Sequence, residues 1–225
     1  VSVGPNLSAD LGPLDPDQRI QIYLGKRDPS QTATVRRYYA SGAARRDQQT
    51  VIQRAQVALD AWAAQSCSAG LASCRGTVVI DIDDTILDSS AFYAAADPPF
   101  TFDAQRWRAF RDACQQRVIP PTRTLIRRLH AMGWHVVLLT GRADTVRGET
   151  VSCLHRRGVV GWDDLMMRGP QDAAISASRW KATQRQRIRD AGWRIVASIG
   201  DQLSDMPSES GTTGFLMPNP MYAVS

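Results

Sequence analysis

The run Val78-Val79-Ile80 leads without a break into Asp81-Ile82-Asp83-Asp84-Thr85, so an apolar stretch of strand length ends in three carboxylates and a hydroxyl. A short continuous apolar run reads as a strand buried on both faces, the habit of parallel sheets. Folding alone gives no reason to crowd like charges at its end, because neighbouring carboxylates repel and raise one another's pKa until a proton or a cation holds them together. A divalent metal is the simplest remedy. The feature therefore implies both a buried parallel strand and a site at its carboxyl end.

The rest of the chain supplies the elements such a sheet needs. Residues 1–18, rich in Gly, Pro and Asp without periodicity, read as an N-terminal arm, and 19–225 as one domain. From Asp47 to Ala64, Val51, Ala55, Leu59 and Trp62 recur at helical spacing and predict an amphipathic helix, part of an N-terminal helical extension. A small cap insertion is expected after the first core strand, at about 88–121. Its aromatic and Pro-rich part (Phe92, Tyr93, Pro98, Pro99, Phe100, Phe102) leads to a helix begun by Asp103. A helix over Thr122–Met132 ending at Gly133 precedes a buried strand, Trp134–Thr140. A helix over Asp144–Arg157 then ends at Gly158. A strand at Leu165–Arg168, a helix over Ala177–Ala191 ended by Gly192 and a strand at Arg194–Gly200 complete the pattern. Strands alternating with helices predict an α/β fold, a Rossmann-like parallel sheet with helices on both faces.

In such sheets ligands bind beyond the carboxyl ends of the strands, and three strands here deliver polar groups to that edge. Asp81, Asp83, Thr85, Thr140, Gly141, Arg142, Lys181, Asp201 and Asp205 are scattered in sequence but can meet there. Together they suit phosphoryl transfer. Asp81 can attack phosphorus, and Asp83, one strand period on, can protonate the leaving oxygen and then activate water. Asp201 and Asp81 can supply carboxylate oxygens to Mg²⁺, the backbone carbonyl of Asp83 a further ligand, and Asp205 the support of that shell. Lys181, the Thr140 hydroxyl and the Gly141 N–H can neutralise the equatorial phosphoryl oxygens. Thr85 and Arg142 are expected to contact substrate, and Phe92, Tyr93 and Trp107 to line the cleft mouth. The same three aromatics are equally well read as core. Asp84, Asp88 and Asp144 read as caps or turn formers. His130, His135 and His155 lack metal-ligand spacing.

The cation inventory singles out one of these residues. The chain has twenty-five Arg and two Lys, Lys26 and Lys181, so a Lys that persists marks a place for a compact ammonium instead of a planar fork. The net charge of +5 and pI near 9.3 suit anionic small molecules. No basic run interleaved with aromatics points to nucleic acid, and no apolar run approaches the length of a membrane span.

Cys67 and Cys74 bracket a flexible hexapeptide that a disulfide can close, worth about 2–3 kcal/mol by chain entropy. That pairing points to an oxidising compartment, periplasmic or secreted. Pairing of Cys114 with Cys153, both in predicted helices, stays open. Val1 in place of Met reads as a start after a removed leader or at a cut boundary.

These segments resemble the haloacid dehalogenase superfamily: Asp81-Ile-Asp-Asp-Thr85 resembles its first motif, Leu139-Thr-Gly-Arg142 its second, Lys181 its third and Gly200-Asp-Gln-Leu-Ser-Asp205 its fourth. From Tyr38 onward, including Trp180-Lys181 and Met217-Pro-Asn-Pro-Met-Tyr222, the chain is similar to the class B acid phosphatase family of plant acid phosphatases and vegetative storage proteins. The resemblance implies a Rossmann-like core, Mg²⁺ dependence, hydrolysis of phosphate monoesters and a secreted or vacuolar setting; aromatics at the cleft mouth would favour aryl phosphates or nucleotides. Some storage-type relatives lack the nucleophile, whereas this chain keeps Asp81. The competing reading is a non-catalytic storage or phosphate-ligand-binding protein on the same fold; reduced Cys67 and Cys74 would instead favour a cytosolic nucleotidase.

Overall fold

The computed structural model describes residues 29–66, 76–97 and 101–222. The 1–18 arm, the Cys67–Cys74 pairing and the Pro98–Phe100 stretch lie outside the described residues. Two helices, α1 (Pro29–Ala40) and α2 (Ala43–Ser66), precede the first strand, β1 (Gly76–Ile80). A short strand β2 (Leu87–Asp88), helices α3 (Ser90–Ala94) and α4 (Ala104–Asp112), and a strand β3 (Arg117–Val118) follow. Then come α5 (Pro120–Ala131), β4 (His135–Ala143), α6 (Arg147–Arg156), β5 (Asp164–Arg168), α7 (Ala177–Asp190), β6 (Arg194–Gly200) and β7 (Thr213–Leu216).

Strands β5, β4, β1, β6 and β7 lie side by side in that order, every pairing parallel. All of β1 is buried, as its apolar run requires of a central strand. Its side chains alternate between two cores. Val78 and Ile80 meet Val51, Ala55 and Leu59 of α2 and Leu125 and Leu129 of α5 on one face. Val79 meets Val137, Leu139, Trp180 and Ile188 on the other, where α7 packs. Helices thus cover both faces. Trp180 anchors α7: burying an indole removes roughly 200 Å² from water, about 5 kcal/mol before entropy is counted. The next residue along that helix is Lys181.

From β1 the chain lays β4 and β5 to one side, then returns to lay β6 and β7 on the other. The crevice at such a reversal, outside the carboxyl ends of the strands, is where an open α/β sheet binds ligands.

Helix ends follow local chemistry. The Asp103 carboxylate accepts the Arg106 N–H at 2.7 Å and starts α4. Pro120 and Pro121 occupy the first turn of α5, and Gly133, at φ +76°, takes the left-handed turn after it. Two boundaries depart from the sequence reading. Strand β4 continues past Thr140 to Ala143, which pairs with Arg168 after a shift in register. That pairing keeps the chain extended, so a 3₁₀ turn at Asp144–Val146 delays α6 to Arg147. The irregularity also frees Thr140–Arg142 from the regular ladder, at the sheet edge where the site forms.

Strands β2 and β3 pair antiparallel, Leu87 opposite Val118 and Asp88 opposite Arg117, and so close the segment holding α3 and α4. Phe92, Trp107 and Phe110 form the aromatic core of that segment with Tyr93. Cys114 is not helical: it follows α4 at φ 53° and forms a disulfide with Cys153 of α6, Cα atoms 5.4 Å apart. The bridge ties the segment to the main core. No helix among the described residues is long and apolar enough to cross a membrane.

Candidate active site

Asp81 is the first residue past β1, and its N–H still donates to the Ile199 carbonyl of β6 at 2.9 Å. The chain then curls at once: the Ile82 carbonyl accepts the N–H groups of Ile86 and Leu87, each at 2.9 Å. Ile82 and Ile86 are wholly buried and pin the turn. Asp84 takes φ 55° there, and its carboxylate accepts the Ser89 N–H (2.8 Å), the Ser89 hydroxyl and the Tyr222 hydroxyl (2.7 Å). Burial pushes the Asp84 carboxyl up to about 7 against those bonds. Its role is the turn former read from sequence.

Lys181 reaches the edge from α7. Its Nζ donates to Asp81 Oδ1 at 2.7 Å and to Asp205 Oδ1. Burial opposes the ammonium, yet the two carboxylates hold its pKa above the ordinary lysine value. The other oxygen of Asp205 accepts the Gln202 N–H at 3.1 Å. Gly200 makes this placement possible, because a Cβ there would lie 2.1 Å from Asp205 Cγ. One turn beyond Lys181, Arg185 donates to the Ser204 carbonyl at 3.2 Å and holds the same loop.

Asp201 follows β6, and its Oδ2 accepts from the amides of Gln202 and Asn219, the latter at 2.7 Å. Burial first, then Asp81 and Asp205, raise its pKa well above the carboxylate range. Burial likewise pushes Asp81 up to about 7 against the pull of Lys181, with Asp205 and Asp83 adding to the rise. One oxygen each from Asp81, Asp201 and Asp205 lie within 4.8 Å of one another. Three buried carboxylates against one ammonium leave two negative charges uncompensated, a costly arrangement in a low-dielectric site. A hard divalent cation such as Mg²⁺ takes oxygen ligands and carries the missing charge, so this donor set fits one.

Asp83 belongs to a different group. Its carboxylate meets the Arg142 guanidinium twice, Nε to Oδ2 at 2.9 Å and Nη2 to Oδ1 at 2.7 Å, and accepts Gln116 Nε2 at 2.8 Å. Burial would raise its pKa, but Arg142, aided by Gln116, brings it below the ordinary value. Arg142 also donates to Gln116 Oε1 (2.6 Å) and Thr150 Oγ1 (3.3 Å), which commits all three guanidinium nitrogens. The sequence reading gives Arg142 a substrate contact; it lines the cleft, and its guanidinium also holds Asp83. The Asp83 side chain stays apart from the three-carboxylate cluster, so only its backbone carbonyl is a candidate metal ligand.

A cleft of ≈ 620 Å³ opens over these groups. Asp81, Asp83, Thr140, Gly141, Arg142, Lys181 and Asp201 line it. Thr140 Oγ1 accepts the Arg142 N–H at 3.3 Å and keeps its own proton to donate. The cap contributes Tyr93, Phe102, Trp107 and Arg111, and the C-terminal segment Tyr222, stacked on Tyr93 at 5.0 Å between centroids. Two expected cleft residues are elsewhere. Thr85 is wholly buried beneath the turn, its hydroxyl without a hydrogen-bond partner among the described residues, and has no face on the cleft. Phe92 is buried against Tyr93, Trp107 and Phe110, the core alternative of the sequence reading. Conversely, Gln116, Asn219, Tyr222 and Arg185 were not singled out from sequence. Asn219 and Tyr222 lie within Met217–Tyr222, a segment noted there for its resemblance alone.

A family model described as HAD superfamily, subfamily IIIB (Acid phosphatase) matches residues 26–225. Among similar proteins, Acid phosphatase 1 of Solanum lycopersicum is 30% identical over 154 residues, covering 67% of this chain and 60% of its own length. The stem 28 kDa glycoprotein of Glycine max is 28% identical over 67% of this chain and 61% of its own, and vegetative storage protein 1 of Arabidopsis thaliana 28% identical over 69% and 59%. The chain thus spans about three-fifths of the length of these plant relatives. In three dimensions it is similar to the class C acid phosphatase of Bacillus anthracis, with a TM-score of 0.68 at 18% identity over 92% of this chain and 86% of that one. At that identity the likeness speaks for the fold alone.

Proposed function

Because the chain belongs to the acid phosphatases of HAD superfamily subfamily IIIB, we propose that it hydrolyses phosphate monoesters through an aspartyl-phosphate formed on Asp81. The observation that carries this reading is the pairing of Lys181 with Asp81 and Asp205 at the carboxyl edge of the sheet, with Asp83 held separately two residues on. An Asp81 oxygen attacks phosphorus, the bond to the leaving oxygen breaks, and Asp83 gives that oxygen a proton. Water then attacks the phosphoryl group, Asp83 takes its proton, and the Asp81–phosphorus bond breaks to release inorganic phosphate. Lys181, the Thr140 hydroxyl and the Gly141 N–H are available to balance charge on the equatorial oxygens. Mg²⁺ held by Asp81, Asp201 and Asp205 would neutralise substrate phosphate and carboxylates together and keep Asp81 ionised.

The clamp of Arg142 and Gln116 favours ionised Asp83, so its proton-donating form gains population as pH falls, in keeping with an acid phosphatase. Tyr93, Trp107 and Tyr222 at the mouth support a preference for aryl or nucleoside monoesters through stacking. The Cys114–Cys153 disulfide supports an exported setting, periplasmic or secreted. Vegetative storage proteins among the relatives keep a second reading open, a phosphate-binding protein without turnover; retained Asp81, Asp83 and Lys181 weigh against it.

The test is a panel of phosphate monoesters assayed after chelation and after return of Mg²⁺. Turnover should vanish and be restored. Full activity in chelated protein would contradict the metal role, and phosphate binding without turnover on any ester would favour the second reading.

A further inference from the structure

A second cavity, of ≈ 490 Å³, lies between α1, α2, α3 and β3. Arg36, Arg45 and Arg117 line it, and none of the three makes an ion pair or side-chain hydrogen bond with another described residue. One carboxylate faces them: Asp88, which accepts the Ser90 N–H at 2.8 Å. Among the described residues, three guanidinium groups against one carboxylate give the cavity a surplus of positive charge at a concave surface where the field is focused. Gln48, mostly buried, adds an amide, while Ala44, Val118 and Ile119 give apolar walls. The volume falls within the range of small-molecule sites.

Two covalent connections run from this cavity to the catalytic cleft. Ser90, Ala91 and Ala94 of α3 line it, while Tyr93 of the same helix lines the cleft. Arg117 follows Gln116, whose amide holds Asp83 and Arg142. We propose that this cavity is a second, non-catalytic site for a small organic anion bearing at least two negative charges, and that its occupation acts on the cleft through α3 and β3. Guanidinium groups supply paired donors for sulfonate, phosphate or carboxylate oxygens, and the apolar walls take the organic body.

Naphthalene-1,5-disulfonate is a suitable probe because it is dianionic, has an apolar body and offers no phosphate ester to hydrolyse. Calorimetric titration of the full chain should show binding. The exposed double variant Arg45→Gln/Arg117→Gln, with unchanged thermal stability, should lose about a hundredfold in affinity, roughly tenfold per charge-assisted contact. Arg36→Gln should lose about tenfold. Equal affinity in wild type and double variant, or competitive inhibition of both alike, would place the probe in the catalytic cleft and overturn the site. Saturating probe should shift KM for an aryl phosphate at least twofold in wild type and leave the double variant unmoved; an unchanged wild-type KM would overturn the coupling. The binding arm does not depend on the phosphatase reading.

Discussion

Lys181 shows how much a single side chain carries here. Its ammonium touches Asp81 and Asp205 at once while buried, as one compact charge. A guanidinium is wider and fixes a planar fork, so Lys181→Arg is expected to lose kcat on the order of 10²-fold with little change in thermal stability. Near-normal kcat would mean that the position supplies only long-range charge. Gly200 works by absence. A methyl group there would collide with the Asp205 carboxylate, so Gly200→Ala should cost about 1–3 kcal/mol and weaken Mg²⁺ binding measured by calorimetry. Undiminished Mg²⁺ affinity would remove Asp205 from the metal site. Arg142→Gln should free Asp83 from the pairing that lowers its pKa and leave burial, which raises it, in command. The alkaline limb of the pH profile for a poor leaving group, where the proton donor is lost, should then move up toward neutrality; an unmoved limb would separate Arg142 from the acid. The carboxylates and the lysine of this site were legible because carboxylates at strand ends and a rare Lys conflict with folding needs. Gln116 and Asn219 were not, since a neutral amide breaks no local rule until its distant partners are known.

At the scale of elements, helix α3 illustrates what sequence leaves open. Phe92 and Tyr93 are neighbours in a five-residue helix and share one aromatic core, and only the helix's rotation gives Tyr93, and not Phe92, a face on the cleft. Periodicity over so few residues cannot fix that rotation. Tyr93→Ala and Trp107→Ala should therefore each lower the ratio of kcat/KM for aryl over small alkyl phosphates. Phe92→Ala should instead lower stability by about 3–5 kcal/mol, measured by denaturant unfolding, through the cavity it leaves. A preserved ratio in the first two would return them to a packing role. The main helices and core strands were readable within a few residues, because alternation and capping residues such as Asp103 are local. Strand β7, four residues with a Gly at the sheet edge, offers no period to read. The Cys114–Cys153 bridge was undecidable from sequence because its partners, 39 residues apart, meet only through the packing of the cap on α6. Replacing both by Ser should lower stability by about 4 kcal/mol on the chain-entropy model and the melting temperature by about 10 °C.

For the whole molecule, the sheet reversal at β1 gathers residues separated by up to 124 positions, Asp81 to Asp205, into one buried cluster. That cluster is unfavourable as a fold element, since burial pushes Asp81 and Asp201 toward protonation, and a cation would relieve it. The architecture was readable from the alternation of strands and helices, and the site's place from the carboxyl edge. The account stands on covalent chemistry at Asp81. Rapid acid quench during turnover of an aryl phosphate with Mg²⁺, followed by peptide mass mapping, tests it most directly. A phosphoryl adduct on Asp81 is predicted in the wild type, with none in Asp81→Asn. An adduct on another residue, or undiminished turnover in Asp81→Asn, would contradict it.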